Sequence, residues 1–182
     1  MTDISLRYRA LADEFGRRLA AVPDDGWDNA TPCAGWTTRD LLGHVLDSYR
    51  NMPGSVGQPI EPTSSVKDDP LAAWSEVDTA MQGFLDDPAR ADLEYDGYFG
   101  RTTVAKTVDS FLGFDLLVHA WDVARATGQD ETLPADEVHQ VYQAALGMGD
   151  MLRSDGVCGP EVPVPADAPE QDRLLGLLGR TP

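Results

Sequence analysis

The run FLGFDLLVHAWDVARATG, residues 111–128, decides the fold. It reads as the end of a long helix: apolar residues recur at three- and four-residue steps, and Gly128 stands where helices favour a residue that tolerates the left-handed conformation. Following the same steps back to Val104 gives one stripe, Val104, Val108, Phe111, Asp115, His119 and Asp122, apolar at first and polar from its middle. Leu112, Phe114, Leu116, Leu117 and Val118 cover the other faces, so the helix is apolar nearly all round and is predicted to be central. Asp115 and His119, four residues apart, then lie one above the other in a setting that favours Leu.

Outward from this helix the chain reads as further amphipathic segments. Residues 3–22 place Leu6, Ala10, Phe15, Leu19 and Val22 on a stripe that stops at Pro23. Thr37 followed by Asp40 resembles a capping box, with Asp in place of the usual Glu or Gln, and opens a helix running to Pro53. The stretch PGSVGQPIEPTSSVKDDP, residues 53–70, is a long connection. A third helix spans about 70–85 with Leu71, Trp74, Val77, Met81 and Leu85 as its stripe, and LEYDGYFGRTT reads as a turn or an isolated extended segment. The longest helix is predicted to start at Thr102 or Thr103. A fifth follows Pro134 with Val138, Tyr142, Ala145 and Met148 on one face, and a Pro-rich tail ends in one short helix. The expected fold is all-α: a four-helix bundle with long connections, in a single domain covering 1–182.

Bulk properties narrow the partners. A net charge of -17 argues against nucleic acid and anionic lipid, and Lys67 and Lys106 are the only lysines. No run of eighteen apolar residues is present and the N-terminus is charged and amphipathic, so a cytoplasmic, non-membrane protein is expected. Two cysteines, Cys33 and Cys158, do not make a disulfide framework in a chain of 182 residues.

A carboxylate taken out of water needs a partner. For Asp115 that partner is a hydrogen bond to His119, an Arg from another helix, residual solvent, or a divalent metal, for which a carboxylate and an imidazole on adjacent turns form half a site. Of the other histidines, His139 falls off the apolar face of its helix. His44 shares a face with Leu41, Val45 and Ser48 and is the better third ligand. Two imidazoles and a carboxylate from two helices leave coordination positions open, as catalytic sites do. Asp122 is read either as a group supporting a ligand imidazole or as an exposed ion pair with Arg125. Trp27, Trp36, Trp121 and Cys33 are read as packing residues, with Cys33 alternatively a redox thiol.

TPCAGWTTRDLLGHVLDSY, DLLVHAWDVARATGQ and VPVPADAPEQDRLLGLLGRTP resemble the short actinobacterial proteins grouped with the N-terminal domain of mycothiol-dependent maleylpyruvate isomerase, within the DinB-like superfamily. The resemblance implies a DinB-like four-helix bundle with His44, Asp115 and His119 as metal ligands. Zinc leads among the cations, with nickel, iron and manganese tolerated. It further implies mycothiol as a thiol cofactor and a metal-dependent thiol S-transferase or isomerase acting on a small electrophile. The alternative is a non-catalytic metal- or ligand-binding module. A homodimer is expected by the same resemblance. The sequence shows no counterpart of the isomerase's second domain, so maleylpyruvate itself is not the expected substrate.

Overall fold

The computed structural model describes residues 2–97, 100–154 and 156–182. The chain packs as two compact units, 1–130 and 131–182.

In the first unit, α1 (Asp3–Ala20), α2 (Thr38–Asn51), α3 (Pro70–Leu85) and α6 (Gly113–Thr127) form a four-helix bundle. Both α1 and α2 pack against α3 and α6. Local chemistry sets the helix ends. Thr2 caps α1, and Asp69 caps α3 ahead of Pro70 at the first helical position. Thr37 and Asp40 form the expected reciprocal capping box, the Thr37 amide donating to Asp40 Oδ2 at 2.9 Å and the Asp40 amide to Thr37 Oγ1 at 3.2 Å. Gly128, with φ of 69°, closes α6 as its position requires.

Several expectations are corrected, among them Leu71, which lies off the buried stripe of α3 and is exposed. On α1, Leu6 and Ala10 face solvent, while Ser5, Tyr8, Leu11, Ala12 and Arg18 join Phe15 and Leu19 inside. Polar partners make this register possible: Ser5 bonds to Asp86 and Gln82, and Arg18 to Glu14 and the Asp130 carbonyl. The stretch 94–103 is a paired hairpin, β1 (Glu94–Gly97) antiparallel to β2 (Gly100–Thr103), its tip lying outside the described residues. The short helix α4 (Pro88–Ala91) precedes it.

A further correction concerns the long helix. Thr103 caps α5 (Val104–Thr107), a π-helical turn follows over Val108–Leu112, and α6 continues from Gly113. The Gly113 amide bonds to the Val108 carbonyl, a five-residue step, so one extra residue fits into the helix. That residue carries Phe111 off the stripe to 39% exposure, and Leu112 is buried instead. Beyond the π turn every residue from Leu116 to Ala124 is buried, as a central helix requires.

The long connection 53–70 is tied down. Glu76 on α3 accepts from the amides of Thr63 and Ser64 and from both hydroxyls, at 2.6 to 3.3 Å. Arg39 on α2 donates to the Val66 carbonyl at 2.7 Å.

The second unit contains α7 (Ala135–Met148), a short 3-10 turn over Gly149–Arg153, and α8 (Glu170–Leu177). Val138, Val141 and Ala145 of α7 share its core with Leu152, Leu174, Leu175 and Leu178. Tyr142 is displaced to the rim, where the Arg173 guanidinium lies 5.3 Å from its ring. His139 is exposed as expected, 3.1 Å from Glu170.

Candidate metal centre

His44 comes from the second turn of α2, and Asp115 and His119 from successive turns of α6 just beyond the π turn. The packing of α2 against α6 brings one ligand-type atom from each of the three within 4.8 Å of the others. His44 Nε2 lies 3.5 Å from Asp115 Oδ2, and the rings of His44 and His119 meet edge to face at 5.4 Å. The three residues drawn from the sequence are therefore together in space. Among the described residues, Asp115 is paired with His44.

Exposure grades across the set. The side chains of His44 and Asp115 are 37% and 26% exposed, whereas His119 is 7% exposed. One flank thus opens to solvent while the other is sealed. Trp36 packs over both imidazoles, with ring centroids 4.8 Å from His44 and 6.5 Å from His119. The Asp115 carboxylate raises the His44 pKa above the ordinary imidazole value, against the opposing effect of burial.

Asp122, one turn beyond His119 and fully buried, meets His119 Nδ1 at 2.9 Å. Asp122 is thus buried against the imidazole and is not an exposed residue. The Arg125 guanidinium stacks over Trp121 at 4.7 Å, and Trp121 is core. Asp122 Oδ2 also receives Cys33 Sγ at 3.3 Å. Cys33 is half-buried and polar in its contacts, unlike the small hydrophobe expected, and with His119 and Asp122 it makes a second cluster of ligand-type atoms within 4.8 Å. Its role was not legible because it lies 89 residues from Asp122 in the chain.

A cleft of about 600 Å³ opens beside His44, within the range of small-molecule sites. Its wall is the outer face of α2, including Asp40, Asp47 and Ser48, completed by Trp36, Arg39 and Lys67. Both signs of charge are present. The loop residues Val66 and Lys67 reach the cleft because Arg39 holds that loop to α2.

Two imidazoles and a carboxylate with one open flank are a donor set suited to a divalent cation. A four-helix bundle presenting that set between its helices is a DinB-like fold. Residues 8–124 match the family model described as the mycothiol maleylpyruvate isomerase N-terminal domain, and the chain belongs to that family. Two uncharacterized proteins of Mycobacterium tuberculosis, MT0763 from strain CDC 1551 / Oshkosh and Rv0738 from strain ATCC 25618 / H37Rv, are each 30% identical to it over 98% of both chains. No solved structure gives a significant match.

Proposed function

We propose that His44, Asp115 and His119 hold a divalent cation, zinc foremost, and that the protein uses it with a low-molecular-weight thiol of the mycothiol kind to modify a small electrophile. The observation that carries this reading is the convergence of the three donor atoms within 4.8 Å, half-open on the His44 and Asp115 side, in a chain of this family. When bound, a divalent cation lowers the pKa of a coordinating thiol and so supplies thiolate at neutral pH.

The chain's own residues do the rest. Asp122 restrains the His119 ring so that its remaining nitrogen is available. Trp36 packs against both imidazoles and forms one wall of the cleft beside His44. The cleft along α2 has the size for the body of a thiol or its acceptor, and Arg39, Lys67, Ser48 and Asp47 offer hydrogen bonds of both polarities along it.

Elemental analysis of protein purified without a metal-affinity tag tests the first half. One divalent ion per chain, lost in His44→Ala, is expected, because two donors from one helix hold a cation poorly. Metal-free protein whose melting temperature does not respond to added zinc would sink the reading. Thiol transfer from mycothiol to a panel of electrophiles tests the second half; metal binding without transfer would make the protein a non-catalytic binding module.

A further inference from the structure

Cys33 and His119 meet the same oxygen. Cys33 Sγ lies 3.3 Å and His119 Nδ1 2.9 Å from Asp122 Oδ2, an atom of a fully buried side chain. The thiol is placed there by its loop. Thr31 donates its amide to the Trp36 carbonyl at 2.9 Å, Trp36 donates back to the Cys33 carbonyl at 3.0 Å, and the Cys33 amide donates to Thr31 Oγ1 at 3.2 Å. Gly35, with φ of 81°, allows the chain to turn within this loop.

Sulfur is a poor acceptor, so between a thiol and a carboxylate oxygen the S–H donates. An ionised carboxylate oxygen only accepts, so the imidazole nitrogen facing it carries hydrogen, and the S–H donating to the same oxygen holds that carboxylate in place against the ring. We propose that Cys33 is a positioning residue: through Asp122 Oδ2 it holds His119 in the tautomer with hydrogen on Nδ1, leaving the Nε2 lone pair for the cluster with His44 and Asp115. The consequence for metal affinity rests on the reading in the preceding subsection, whereas the tautomer does not. Cys33 as a ligand in its own right is the weaker alternative, since a cation between Cys33, His119 and Asp122 would displace the hydrogen bonds that Asp122 accepts and sit away from the open flank.

The test uses the full chain labelled with nitrogen-15, as wild type, Cys33→Ala and Cys33→Ser, with thermal melting confirming that each is folded. Long-range proton–nitrogen spectra of the metal-free proteins report the His119 tautomer, and titration with Co²⁺ reports affinity. Wild type should show hydrogen on Nδ1. Cys33→Ala should show mixed tautomers and a Co²⁺ Kd raised about tenfold or more. Cys33→Ser, which keeps an O–H donor, should restore both. Wild type with hydrogen on Nε2, or Cys33→Ala with the wild-type tautomer, overturns the inference, as does a thiolate-to-cobalt charge-transfer band in the wild type. If Cys33→Ala shifts the tautomer as expected and no variant binds Co²⁺, the metal reading is overturned and the role of Cys33 stands.

Discussion

Glu76 shows how one half-buried side chain can organise a long connection. The Ser64 hydroxyl and the Thr63 amide, together with the remaining donors of that pair, hold its pKa down to about 2 from an ordinary 4.5. A carboxyl depressed in the folded state contributes stability that is present above its unfolded pKa and lost as pH falls through the folded one. The tie between α3 and residues 63–64 should therefore persist at pH 5 and weaken as pH falls from about 4.5 towards 2, visible as a loss of protection of the Thr63 amide relative to its intrinsic exchange rate at each pH. Glu76→Gln should show the low protection already at neutral pH. At the candidate metal centre, three residues were legible because residue type and helical spacing agree for Asp115 and His119, and because His44 shares a face with apolar neighbours. Cys33 was not, since nothing local marks a residue whose partner arrives from another element. Replacing Asp115 and His119 together by Leu should abolish any rise in melting temperature on adding zinc.

Among the elements, the π turn over Val108–Leu112 has the largest consequence for the site. Simple periodicity placed Phe111 on the stripe with Asp115, and an uninterrupted α-helix would keep it there; the inserted residue rotates α6 relative to α5 by roughly one residue's turn, about 100°. Sequence spacing carries no signal for such an insertion, whereas the surrounding packing does. Arg7 of α1 donates to the Asp109 carbonyl at 2.9 Å, and the buried Tyr49 hydroxyl of α2 donates to the Leu112 carbonyl at 3.1 Å. Tyr49→Phe removes a buried donor and should cost about 1 to 3 kcal/mol in denaturant unfolding. The hairpin was missed for a related reason: each strand is too short to be read alone, and only pairing identifies it. In the second unit, Gly176 of α8 has room for no side chain, because a Cβ there would lie 2.7 Å from the Val162 carbonyl oxygen. Gly176→Ala should destabilise by about 1 to 3 kcal/mol.

For the whole molecule, the family match over 8–124 falls within the unit formed by residues 1–130, which also holds the bundle, the donor cluster and the cleft. The fold class was readable because the bundle helices carry long periodic patterns with recognisable ends, whereas burial register on α1 depended on partners such as Asp86 and Asp130 that only the folded chain supplies. Among the described residues no helix is long and apolar enough to cross a membrane. A net charge of -17 implies self-repulsion in the compact state, so melting temperature should rise as monovalent salt is raised from low to physiological ionic strength. The central claim concerns the site, and anomalous diffraction from crystals of zinc-loaded protein, recorded on both sides of the zinc absorption edge, tests it most directly. The expected result is one anomalous peak bonded to His44, Asp115 and His119. A loaded crystal with those three side chains ordered and no peak among them would contradict it.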